Sequence, residues 1–269
     1  MPKPELAPQI EHFYSQVIDE DGRLTATADG RLELIRTQEI LRRHLPAPPA
    51  RVLDVGGGTG VHARWLVEDG FEVELVDPIA RHVEQASKVC PSTVGDARDL
   101  AARDGSFDVV QLLGPLYHLP DPKDRQTALA EARRVAKCGG VVAVAAINRY
   151  ASLFEHVTYA HLHTERLQSA VSKILETAVH DGKGFTLSYF HRPAELADEM
   201  RQAGLVDVEV LGVEGPAWSL LKAVEQSGGT PSDDLVASAM AAARMAEPYP
   251  DLLAASSHLL AVGRVPGLH

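Results

Sequence analysis

The stretch Arg51-Val52-Leu53-Asp54-Val55-Gly56-Gly57-Gly58-Thr59-Gly60 constrains the fold more than any other part of the chain. A short β-branched run ends in an acidic residue and a knot of glycines, and a helical pattern begins directly behind it. Glycine lacks a Cβ, so such a loop turns tightly and lets a ligand approach the backbone. Strand, glycine loop and helix in that order form the nucleotide-binding corner of a doubly wound sheet. The alternation continues downstream. Strand patterns cover residues 71–76, 93–94, 107–113 and 141–147, and helical patterns cover 61–69, 80–88 and 122–136. Asp121 reads as the N-cap of the last helix, and Gly139-Gly140 as its stop. Repeated strand–helix alternation implies a mostly parallel sheet covered on both faces.

The flanks are patterned differently. A helical stripe over residues 31–45 precedes the core and is stopped by Pro46, Pro48 and Pro49. Behind Asn148, Leu167, Val171, Ile174, Leu175 and Ala178 mark the apolar face of one helix, and residues 193–203 form another. Residues 186–190 read as a strand or a cap segment. Residues 206–210 alternate as a half-exposed strand, 218–226 and 232–246 as helices, and 258–265 as a last strand. This divides the chain into an N-terminal helical lid (1–45), an α/β core (46–148), a helical cap (149–204) and a sheet-completing C-terminal part with inserted helices (205–269).

Composition narrows the class of function. The 269 residues are 45% hydrophobic, as in a globular chain, and carry a net charge of −11, which argues against a nucleic-acid footprint or an anionic membrane partner. Neither a signal-peptide core nor an apolar run of spanning length is present, so a cytoplasmic location is expected. Cys90 and Cys138 form no C-x-x-C pair, and His161-x-His163 lacks carboxylate company, so no metal site is expected. A homodimer stays open.

Two templates compete for the glycine loop. The dinucleotide fingerprint G-x-G-x-x-[G/A] occurs as Gly58-Thr59-Gly60-Val61-His62-Ala63, which leaves two glycines unexplained. The pattern [D/E]-x-G-x-G-x-G fits without a gap from Asp54 to Gly60. In this the chain resembles the class I S-adenosylmethionine (AdoMet) methyltransferases of small-molecule type, over roughly residues 30–150. The resemblance implies a seven-stranded, doubly wound sheet with an antiparallel edge hairpin near residues 206–213 and 258–265. It also implies AdoMet as methyl donor, bound along Asp54, Gly56, Gly57, Gly58 and Gly60.

The same resemblance assigns further residues. Asp77, at the end of the second strand and followed by Pro78, is expected to accept hydrogen bonds from the donor's ribose hydroxyls. Asp96 and the backbone of Ala97 are expected at its adenine, Gly114 and Pro115 as the wall beside its sulfonium, and Leu113 as a further donor contact. Gly114-Pro115-Leu116-Tyr117-His118-Leu119 resembles the fourth motif of small-molecule methyltransferases and lacks the N/D-P-P-Y signature of nucleic-acid amino-methylating relatives. Tyr117 and His118 are the catalytic candidates, with His118 a general base where the acceptor must lose a proton. Tyr14 and Arg36 are candidates to meet the donor's methionine end, as a cation–π ring and a carboxylate partner. Tyr189, His191 and Trp218 are the candidates for the acceptor. An NAD-dependent oxidoreductase on the same sheet corner and an RNA or protein methyltransferase are the alternatives.

Overall fold

The computed structural model describes residues 22–182 and 186–267, together with Pro8 and Ile10. In chain order the elements are α1 (Arg23–Ala26), α2 (Ala28–His44), β1 (Arg51–Val55), α3 (Val61–Glu68), β2 (Glu72–Asp77), α4 (Ala80–Ala86), β3 (Ser92–Val94) and β4 (Phe107–Leu112). There follow α5 (Pro122–Val135), β5 (Ala136–Asn148), α6 (Ala151–Thr158), α7 (Glu165–Thr177), β6 (Val179–Asp181), β7 (Leu187–His191) and α8 (Pro193–Gln202). The C-terminal part supplies β8 (Val206–Gly212), α9 (Trp218–Gln226), α10 (Asp233–Ala246) and β9 (His258–Arg264).

β3, β2, β1, β4 and β5 lie side by side in parallel, as the alternation implies. The β9 strand runs antiparallel along β5 from Val141↔Arg264 to Ile147↔His258, and β8 closes that edge antiparallel to β9. These seven strands are the expected sheet with its edge hairpin. Among the described residues the full sheet has nine. The additional pair comes from the cap, where β7 extends the end of β5 at Ile147↔Phe190 and Asn148↔His191 and carries β6 on its outer side. Residues 186–190 are therefore strand for the most part.

One boundary differs in an instructive way. Gly139-Gly140 does not separate helix from strand, because β5 begins at Ala136 beside Phe107 and bulges before resuming at Val141 beside Val109. Gly139 takes φ +74°, and its N–H donates to Val265 O, while Val265 N–H donates to Gly140 O. A bulge needs a backbone free to enter positive φ, which glycine provides.

Each sheet face buries its own cluster. On one side Leu53, Val110, Leu112 and Val142 meet Leu129, Ala132 and Val135 of α5 and Leu196 and Met200 of α8. On the other, Val52, Val109 and Ala143 meet Ile40 and Leu41 of α2 and Trp65 and Leu66 of α3. Each apolar side chain buried in this way contributes roughly 1.5–3 kcal/mol, enough to fix the register of the strands. That register aligns the C-terminal ends of β1–β4 along one edge, and the loops leaving them meet there.

Candidate active site

A cleft of about 1040 Å³, including its mouth, opens at this edge. It is lined by Asp54 and Gly56–Thr59 behind β1, Asp77–Ile79 behind β2, Gly95–Arg98 behind β3 and Leu113–Pro115 with Tyr117–Leu119 behind β4, and Ile10 and Leu24 close over it. Ligands of doubly wound sheets bind at this place.

The glycines are there for space. A Cβ on Gly56 would stand 2.6 Å from Pro115 Cγ, and one on Gly57 2.6 Å from both Asp54 Oδ2 and Leu75 Cδ1. The loop thus leaves room neither above nor below for side chains, and its backbone is what a ligand meets. Gly60 has another task. At φ +89° it starts α3 and packs against Ala86, and it is not among the residues that line the cleft.

Two buried carboxylates flank the loop. Asp77 Oδ2 accepts from Gly58 N–H at 2.9 Å and its Oδ1 from Ile79 N–H at 2.9 Å, so it holds the glycine loop and the start of α4 together. His82 Nδ1 of α4 lies 3.2 Å from Asp77 Oδ1. Asp54 is fully buried, and neither carboxylate oxygen accepts a hydrogen bond among the described residues. Burial, reinforced by the charge of Asp77 and opposed by Gln111 beside it, pushes the Asp54 carboxyl up to about 7. A buried carboxylate without hydrogen-bond donors is costly. One that lines a ligand cleft fits a ligand bearing positive charge, and AdoMet carries a sulfonium and an ammonium.

Behind β3, Asp96 is clamped by Arg98, whose Nε donates to Oδ1 at 2.9 Å and whose Nη2 donates to Oδ2 at 2.8 Å, while its Nη1 reaches Asp124. At the opposite wall Tyr117 and His118 meet edge to face with ring centroids 4.6 Å apart. The Tyr117 hydroxyl comes within 3.5 Å of the Cβ that Gly114 lacks, and Tyr117 also packs against the cluster of Ile147 at the end of β5 with Ala151, Ile174 and Phe190 of the cap.

The structure thus brings Asp54, Gly56, Gly57, Gly58, Asp77, Pro78, Asp96, Ala97, Leu113, Gly114, Tyr117 and His118 around one cleft. Tyr14 lies outside the described residues. Arg36 lies elsewhere. Its side chain is buried against Val213 O and pairs with Glu39 at 2.7 Å and with Glu247 of the segment behind α10, so it is not in a position to meet a donor carboxylate. Tyr189 and His191 are not at the cleft either. Arg125 stacks 3.7 Å over the Tyr189 ring and is gripped by Glu199, while His191 Nε2, fully buried, sits 3.2 Å from the same carboxylate. Burial holds the His191 imidazole below its ordinary range, and the Arg125 and His191 contacts outweigh burial to hold Glu199 at about 2. These groups lock the cap to α5. Trp218 is buried with its indole N–H on Ala255 O, in a cluster with Leu32 and Leu221. Conversely, His82 and Arg98 were not among the sequence candidates. Their only sequence signal is proximity to Asp77 and Asp96, five and two positions on.

Comparison with known proteins decides between the templates. Residues 53–144 match the family described as a methyltransferase domain. A ubiquinone biosynthesis O-methyltransferase of Thiobacillus denitrificans is 32% identical over 62% of this chain and 69% of its own. One of Xanthomonas axonopodis pv. citri is 31% identical over 70% and 75%. The chain belongs to the class I AdoMet-dependent methyltransferases.

Among solved structures, an AdoMet-dependent methyltransferase of Thermotoga maritima superposes at TM-score 0.60 with 22% identity, covering 95% of this chain and 99% of its own. The Haemonchus contortus phosphoethanolamine N-methyltransferase 2 in complex with AdoMet superposes at 0.60 with 17% identity, covering 98% of this chain and 61% of its own. Both share the fold. The methyltransferase is therefore an enzyme whose cofactor is AdoMet, and the dinucleotide alternative falls. Among the described residues no helix is long and apolar enough to cross a membrane.

Proposed function

We propose that this methyltransferase acts on a small-molecule hydroxyl acceptor. The observation that carries the reading is the form of the cleft. Among the described residues, the glycine loop shares the cleft with an imidazole and a phenol, and the side chains that close over it, Ile10 and Leu24, are apolar. An RNA or protein acceptor calls for an open, charged approach. Arg98, the arginine in this lining, is engaged with Asp96 and Asp124. The relatives named for O-methylation in ubiquinone biosynthesis favour oxygen as the methylated atom.

AdoMet, when bound, supplies a methyl group on a positively charged sulfur. The chain's part is to hold and to orient. In this reading the glycine loop and Asp77 fix the nucleoside, Asp54 answers the positive charge, and Leu113–Pro115 form the wall beside the reacting centre. Tyr117 and His118 would face the acceptor, and His118 would take the hydroxyl proton as the oxygen bonds to the methyl carbon and the carbon–sulfur bond breaks, leaving neutral S-adenosylhomocysteine. Most of the acceleration comes from alignment, which offsets roughly 7–11 kcal/mol of barrier. That Ile10 and Leu24 lie over the cleft supports reading residues 1–45 as its lid.

The test is formation of S-adenosylhomocysteine with a panel of small phenols and catechols, run beside bulk tRNA, rRNA and denatured protein. Turnover on a small hydroxylated compound supports the reading; turnover confined to a macromolecule overturns it.

A further inference from the structure

A second cavity, of about 990 Å³ including its mouth, shares no lining residue with the donor cleft. Its walls come from α2 (Thr27 at the N-cap, Asp29, Gly30, Glu33), the end of α6 (Tyr159), the segment behind β8 with α9 (Glu214, Trp218, Lys222, Glu225) and the start of β9 (Ser257, His258). We propose that Glu33, Glu214 and His258 form a binding site for a first-row divalent metal ion of the Mn²⁺ or Zn²⁺ kind.

The donor atoms of these three residues lie within 4.8 Å of one another. Glu214 Oε1 stands 2.5 Å, and Glu33 Oε2 3.7 Å, from His258 Nδ1. The central ligand is rigid. Glu214 is 2% exposed, and its other oxygen accepts from Ser256 Oγ at 2.7 Å and from His258 N–H at 2.9 Å. Ser256 Oγ in turn accepts from the N–H groups of Glu214 and Gly215. Outer contacts of this kind orient metal ligands. One imidazole with two carboxylates suits borderline divalent ions, with water completing the shell.

A second observation points to a cation in the same cavity. Asp29 Oδ1 and Glu225 Oε2 are buried and accept no hydrogen bond among the described residues. Lys222 is paired with Glu155 at 2.5 Å and with Asp29 at 3.8 Å, and these carboxylates outweigh burial and hold its ammonium firmly protonated. Among the described residues of this lining, Lys222 and His258 stand against the carboxylates of Asp29, Glu33, Glu214 and Glu225, so the lining is rich in negative charge that a bound cation would offset.

With bonds of about 2.0–2.2 Å, two donors on one ion stand roughly 3–3.5 Å apart. Glu33 therefore moves in from 3.7 Å, and the 2.5 Å Glu214–His258 contact opens by roughly 0.5–1 Å. Binding ties α2 to β9 and to the end of β8.

After dialysis against a chelator, the full chain is titrated with Mn²⁺ and with Zn²⁺ by calorimetry and by thermal melting. One ion per chain is expected, with a rise in Tm. Glu33→Gln and His258→Ala should each weaken binding at least tenfold, and Glu33→Gln should leave the metal-free Tm close to that of the parent. No binding of either ion overturns the proposal. So does equal affinity in the Glu33→Gln chain, which alone decides if His258→Ala fails to fold. Neither readout involves methyl transfer, so failure here leaves the acceptor reading untouched.

Discussion

The most demanding consequence concerns Asp54 and pH. Its carboxyl rises from 3.8 to about 7 through burial, with the charge of Asp77 adding. Between those values the folded chain binds this proton more tightly than the unfolded chain does. The Asp54 contribution to ligand-free stability therefore falls as pH climbs from about 4 to about 7 and stays low above that. A shift of three units corresponds to at most about 4 kcal/mol. Donor binding runs the other way, because a cationic ligand favours the ionised carboxylate. The ionised fraction rises from about a tenth at pH 6 to about nine tenths at pH 8, so AdoMet affinity should tighten about tenfold over that interval. Titration calorimetry at pH 6, 7 and 8 measures it. In the Asp54→Asn chain the added slope should vanish while the donor's own titration remains. The same slope in both chains would refute the assignment of Asp54 as the counter-charge.

Two further outcomes are expected. Gly57→Ala places a methyl against the buried Asp54 carboxylate and Leu75, so overpacking should cost about 1–3 kcal/mol, or roughly 2–12 °C in Tm by scanning calorimetry; an unchanged Tm would mean that the loop yields freely. His118→Ala should lower kcat about a hundredfold with AdoMet affinity within a factor of two, and a full rate with a hydroxyl acceptor would demote His118 to a wall residue.

What could be read from the letters follows a physical line. β1, β2 and β4 were legible because β-branched runs end at glycine or at acidic residues, and the cleft was legible because its walls are loops that leave those strands in a fixed order. Arg36 was misplaced because its partner Glu247 is supplied by the segment behind α10, remote in sequence, and a helix pattern says which face is buried but not against what. Tyr189 and His191 show the same limit. Aromatic and imidazole side chains beside a helix start suit a substrate wall, yet here they meet Arg125 and Glu199 from two other helices. Gly139 misled for a local reason, since the residue that ends a helix also permits a bulge inside a strand. Glu33, Glu214 and His258 carry no motif at all and meet only because α2 crosses the edge where β8 and β9 pair.

The central claim is that the loop behind β1 and the carboxylate ending β2 hold AdoMet. It is tested most directly by titrating AdoMet into the parent chain and into Asp77→Ala, with scanning calorimetry to show that the variant is folded. Saturable binding of one donor per chain, weakened by at least tenfold in Asp77→Ala through loss of the ribose acceptor and of the anchor on Gly58, is the expected result. Equal affinity in the two chains would contradict it.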